Sequence, residues 1–217
     1  MKFHKELKLD EIPAHERICS IMFDEMKIKS GLVFSRTTGT IIGFTELGQI
    51  SDEIDSLERS LEQERKKLRP LATHVLAIMV RGFFRHFNFP IGFYATRSAS
   101  AEQLFAIIWE AVGVLELVNF NVHAFVCDGA SANRKFFEMH RLDDGSNVSP
   151  DGVVYWAHNR FAPGRKIYFY SDVPHLMKTL RNNLENSGSN KKTRKLTVSI
   201  FTPFIRTSNY FPQLCWL

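Results

Sequence analysis

Two apolar runs, each closing on an aspartate, constrain this chain more than any other feature. The run "RICSIMFD" ends at Asp24 and the run "VHAFVCD" ends at Asp128. A short, nearly continuous apolar run reads as a strand buried on both faces. An aspartate that ends such a strand is held at the mouth of a sheet, where the core gives way to water. Taken alone, each aspartate is better read as a turn former or a helix cap. A single carboxylate does little chemistry, so the reading turns on whether the two strands are neighbours.

The rest of the chain supplies a frame in which they are. The stretch 31–47 reads as a hairpin with a glycine in its turn, "RTTGT". Residues 51–68 follow a helical period, with Ser51 as N-cap and Pro70 as terminator. A strand is predicted over 73–84, and 87–100 continues extended into serines that can cap a helix over 100–119. Leu104, Ile107, Ile108, Ala111, Leu115 and Val118 give that helix a broad apolar face. A short helix is predicted over 132–140 and a strand over 165–172. A helix over 173–186 carries Pro174 in its first turn.

This order predicts an α/β fold in which antiparallel strands are followed by parallel strands joined through right-handed crossover helices. It is the order of a ribonuclease-H-like mixed sheet with flanking helices, although other α/β folds share it. In a ribonuclease-H-like sheet the first and fourth strands lie side by side, so Asp24 and Asp128 would point to one site. Close carboxylates repel unless a cation sits between them. A hard, oxygen-loving ion such as Mg²⁺ suits the place and can serve phosphodiester chemistry. Glu25 would face the other side of its strand and is structural. Asp143, Asp144 and Asp151 lie in a polar loop and are solvated.

Composition sets outer limits. The 217 residues suffice for one good-sized domain, and the net charge of +5 permits a nucleic-acid or phosphate partner. Cys19, Cys127 and Cys215 lie far apart without zinc-ligand spacing, which suits a reducing compartment, nucleus or cytosol. The first residues lack the apolar stretch of a signal peptide, and no run is long enough for a transmembrane helix, so no membrane partner is expected.

The segments "MFDEMKIKSGLVFSRTTGTIIGFTELG", "VRGFFRHFNFPIGFYATRSASAEQL", "VHAFVCDGASANRKFF" and "FYSDVPHLMKTLRNNL" together resemble the P-element type transposases. That group includes the THAP-domain transposases domesticated in vertebrates. The resemblance covers about residues 15–186. It implies a ribonuclease-H-like catalytic domain that acts on DNA in the nucleus, with a D, D, E triad holding Mg²⁺ or Mn²⁺. On that pattern Asp24 and Asp128 are the first two acids. It also implies an inserted GTP-binding domain without a P-loop, and none occurs here. Asp172 and Lys178, in "DVPHLMK", would be GTP contacts. From the residues alone, Asp172 reads as a helix cap and Lys178 as a surface residue. His175, between apolar neighbours, reads as a packed or hydrogen-bonded core residue.

The resemblance divides the chain into an arm over 1–16, a ribonuclease-H-like domain over 17–171, the start of the GTP-binding insertion over 172–198, and a divergent tail over 199–217. The basic run Lys191, Lys192, Arg194 and Lys195 reads as a solvated linker. The zinc-coordinating THAP domain and the final helix carrying the glutamate are missing from this sequence, and no glutamate follows residue 186. The fold is therefore expected to be incomplete. Two functions follow. One is a transposase-derived domain related to metal-dependent DNA cleavage and strand transfer, inactive alone for want of a third acid. The other is a non-catalytic DNA- or protein-interaction module, able to associate with a full-length transposase.

Overall fold

The computed structural model describes residues 12–37, 39–48 and 70–186. The helix expected over 51–68, most of the N-terminal arm, and the segments 187–198 and 199–217 lie outside the described residues.

A central sheet of six strands has the order β5-β4-β1-β6-β8-β7. Its members are β1 (Ile18–Lys27), β4 (His74–Gly82), β5 (Asn88–Thr96), β6 (Asn121–Cys127), β7 (Trp156–His158) and β8 (Lys166–Ser171). β1 pairs antiparallel with β4, and β4 with β5. β6 joins β1 in parallel and β8 joins β6 in parallel, so the two apolar runs that end in aspartate are direct neighbours. The expected hairpin forms as β2 (Val33–Ser35) and β3 (Thr40–Ile42), but it stands apart as its own two-stranded sheet. The edge strand β7, antiparallel to β8, was not anticipated. Its three residues are too few to show a period.

Helix α1 (Ala101–Leu117) starts where the sequence provides a capping box. The Ser100 hydroxyl accepts from Gln103 N–H at 3.2 Å, and Gln103 Oε1 accepts from Ser100 N–H at 3.0 Å. It ends just before Asn119, which takes a left-handed φ of 64° that asparagine tolerates. Helix α2 (Ser131–Glu138) and then the edge strand β7 lie between β6 and β8 in the chain, and α3 (Val173–Asn186) follows β8. The crossovers through α1 and α2 run the same way across the sheet, so the right-handed rule sets both helices on one face. There Phe136 of α2 meets Phe23 and Phe125 edge-on or tilted, at 5.7 and 5.8 Å between ring centres. Leu104, Ile107 and Ile108 of α1 are buried in the same core. Cys19 and Cys127 are buried free thiols, as small hydrophobes in strands should be.

Between Cys19 and Ser20 the β1–β6 register slips by one residue. Cys19 pairs with Val122, but Ser20 pairs with Ala124, which leaves His123 as an extra residue on β6.

Behind α2 lies a buried polar unit. The Trp109 indole N–H donates to His140 Nε2 at 2.9 Å, and His140 Nδ1 lies 2.8 Å from the Phe136 carbonyl. This arrangement is satisfied by the neutral tautomer that carries its proton on Nδ1. Burial pushes His140 down to about 4. An unfolded histidine titrates near 6.5, so between those values the unfolded chain binds more protons than the folded one. Stability conferred by neutral His140 is fully present above about pH 6.5 and lost as pH falls toward 4, on the order of 3 kcal/mol. Urea unfolding at pH 7, 5.5 and 4 should show this slope, and His140→Gln should flatten it.

Candidate functional site

The paired strands carry the first two aspartates to one end of the sheet. β1 and β6 are in register at Met22 and Val126, and β6 and β8 at Cys127 and Ser171. Continued to the next positions, that register sets Asp24, Asp128 and Asp172 on one row, one from each of three parallel neighbours. Asp172 N–H donates to the Cys127 carbonyl at 2.8 Å and extends the ladder into that row. Neighbouring backbones in such a sheet are about 4.8 Å apart. The buried Cys127 thiol registers the same convergence. Burial pushes its pKa up, and the negative charges of Asp128, Asp24 and Asp172 push it further.

The three carboxylates are employed differently. Asp24 is exposed, and its Oδ1 accepts from the adjacent Glu25 N–H at 2.8 Å. Through the antiparallel pairing it shares its sheet face with Ala77 and the exposed Phe93, the face opposite α1 and α2. Asp128 is half-buried and its Oδ1 is fixed by two donors, Ala130 N–H at 2.9 Å and Asn133 Nδ2 at 2.6 Å. Among the described residues its Oδ2 has no hydrogen bond. Asp172 caps α3: its Oδ2 accepts from His175 N–H at 3.3 Å, and its carbonyl takes the first helical bond from Leu176 at 3.1 Å.

Lys178 lies further along α3, exposed, and does not join the row. His175 is exposed rather than packed, because the first turn of α3 presents it to water. Glu25 faces away from Asp24 and is a structural clamp. It accepts from the Thr96 hydroxyl and from Ala99 N–H, at 2.9 Å for the latter, which ties β1 to the turn before α1. Asp143, Asp144 and Asp151 are exposed in their loop.

Asn133 is the residue that sequence reading passed over. It is buried, sits five positions after Asp128 at the start of α2, and orients the aspartate. Its signal was present in "DGASAN", where an asparagine in the first turn of a helix can reach back to the preceding loop.

Hard carboxylate oxygens suit Mg²⁺ or Mn²⁺ in kind. In number they fall short: among the described residues no group of three or more His, Cys, Asp or Glu side chains is placed to hold a metal ion. The row of aspartates is level without closing on one point.

Comparison with known proteins agrees with this architecture. The family model described as TNP-like, RNase H N-terminal domain matches residues 3–141. The human protein DNA transposase THAP9 is 21% identical over 168 residues, which cover 77% of this chain and 17% of that protein. In a solved structure, the Drosophila P element transposase strand transfer complex, one chain is similar with a TM-score of 0.55 and 19% identity. That similarity covers 82% of this chain and 32% of the fly chain. The chain thus spans less than a third of either relative, and the structural likeness carries the ribonuclease-H-like α/β fold. With more than half of its length matched by the family model, the chain belongs to the TNP-like RNase H N-terminal domain family, the ribonuclease-H-like domain of P-element-type transposases.

Proposed function

We propose that this domain takes part in divalent-metal-dependent cleavage and transfer of DNA strands, with Asp24 and Asp128 as two of the carboxylates that hold the metal. The observation that carries this reading is the parallel β1–β6 pairing, which levels the two acids at one end of the sheet. The transposase relatives supply DNA as the substrate class. A bound Mg²⁺ or Mn²⁺ would supply Lewis acidity toward a scissile phosphate. Asn133 and Ala130 N–H hold Asp128 in one orientation, which spares the site a reorganisation when a cation arrives. Asp24, exposed on the opposite face from α1 and α2, is open to substrate.

A third acid has to come from outside the described residues, so a polypeptide of these 217 residues is proposed to bind metal weakly and to cut poorly. Calorimetry with Mn²⁺ tests this. Asp24→Asn or Asp128→Asn should each weaken the weak binding by about ten-fold or more. Binding that is unchanged in both variants would sink the assignment. The resemblance also implies a GTP contact at Asp172 and Lys178. In this proposal Lys178 is the part free to meet a phosphate, since the Asp172 carboxylate already caps α3.

A second reading rests on the finding that, among the described residues, no three such side chains are placed to hold one metal ion. The domain would then be a non-catalytic DNA- or protein-interaction module. The same calorimetry, run beside a plasmid-nicking assay, separates the two: neither metal uptake nor nicking leaves the interaction module.

A further inference from the structure

We propose that the β4–β5 turn is a separate nucleic-acid contact, which holds backbone phosphate on Arg81 and Arg85 and stacks an unpaired base on Phe84. Residues Arg81 to Asn88 line a cleft of about 420 Å³. Its walls alternate cations with aromatic rings, "RGFFRHF". Phe84 is 69% exposed and Phe83 38%. Exposed rings beside guanidinium groups form the pattern that binds single strands, because every base has a face to stack and every nucleotide a phosphate to pair.

The turn is built to hold its shape. Gly82 N–H donates to the Phe87 carbonyl at 3.1 Å, and Phe87 N–H to the Arg85 carbonyl at 3.0 Å. A Cβ on Gly82 would stand 2.2 Å from the Arg85 carbonyl oxygen, so the close approach requires glycine. Phe87 is buried and packs against Phe89 and Phe120, which anchors the turn in the core. The rings left outside are therefore displayed on a fixed frame. The Arg85 ion pair with Glu16 spans 3.3 Å between partly exposed partners and can yield to a phosphate. His15 leans edge-on toward Phe84 at 6.5 Å and leaves that ring accessible.

This cleft is distinct from the acid row. Asp24 pairs with Ala77, whereas the turn begins at Gly82, opposite Cys19. Five residues of strand separate them, about 17 Å. An acidic peptide would use the cations alone and leave the rings in water, so a nucleic acid fits the surface better.

The test is fluorescence anisotropy of a labelled oligothymidylate with the 217-residue chain, in the wild type and in an Asp24→Asn/Asp128→Asn background. Phe84→Ala should weaken single-strand binding about ten-fold without altering its salt dependence. Arg81→Ala/Arg85→Ala should lower the slope of log affinity against log salt by about 1.4. Both effects should persist in the Asn background, so failure of the metal assignment leaves this result standing. Melting temperatures of the variants check folding, and Phe84, being exposed, should not shift them. The proposal is overturned if both variants bind like wild type. It is also overturned if Phe84→Ala weakens duplex and single strand alike, or if polyglutamate competes as well as the oligonucleotide.

Discussion

Replacing Phe136 by alanine should cost about 3–5 kcal/mol of stability, because the ring is fully buried and its removal leaves a cavity that its neighbours fill only in part. Its ring centre lies 5.7 Å from that of Phe23, 5.8 Å from Phe125, 6.2 Å from Phe105 and 4.9 Å from His140. It therefore joins both helices to the strands that carry the acids. Helix α2 has eight residues, too short to persist without docking. Phe137 helps, stacked on Phe169 at 4.5 Å, but it lies at the margin of the same core. Because α2 also carries Asn133, the loss should reach the site: Asp128 loses its fixed orientation and metal uptake should fall with it. Urea denaturation and Mn²⁺ calorimetry on one preparation measure both. A change in stability below about 1 kcal/mol would contradict the packing argument.

Glu116→Ala should cost a similar amount, about 3–5 kcal/mol, by a different route. Glu116 Oε1 accepts from Val122 N–H at 3.0 Å, Asn159 Nδ2 at 2.8 Å and Arg165 Nη1 at 3.2 Å, while Oε2 accepts from Arg165 Nη2 at 3.0 Å. Arg165 in turn donates to Asn121 Oδ1 at 2.9 Å. The side chains of the pair are only 11% and 25% exposed, so truncating Glu116 strands a guanidinium, an amide and a backbone N–H together. Glu116→Gln keeps some acceptors and should cost less. Glu116→Ala combined with Arg165→Ala should cost less than the sum of the single changes, because the stranded charge is gone. This clamp grips β6 at the end away from Asp128, so Glu116→Ala should leave Mn²⁺ binding unchanged where the protein stays folded. Thermal melts of the three variants decide the matter.

The architecture was legible where side chains repeat with a period or punctuate it. "ICSIMF" read as a buried strand and is one, and the serines before residue 101 marked the start of α1. Pro174 placed Asp172 as the cap of α3. What stayed hidden depends on contacts between distant segments. Nothing in residues 31–47 says that the hairpin leaves the main sheet, since a hairpin's turn chemistry is the same in either setting. His175 looked apolar by its neighbours, but only the docking of α3 decides which side meets water. The nearness of Asp24 to Asp128 could be inferred from strand order, but the level at which they meet could not. The alignment of Asp172 with them followed only from the β6–β8 register.

The slip at His123 has a consequence for how chains of this kind can diverge. Were the ladder to run on without that slip, His123 would pair with Ser20, Asp24 would stand opposite Cys127, and Asp128 opposite Glu25, whose carboxylate is already taken by Thr96 and Ala99. Side chains reverse their facing with every step along a strand, so the two acids would fall out of phase. Gains or losses of single residues in the outlying loops leave this level untouched, whereas one between Ser20 and Asp24, or between Ala124 and Asp128, shifts the two aspartates against each other. The bulge thus takes up one surplus residue of β6 and lets two distant carboxylates arrive level.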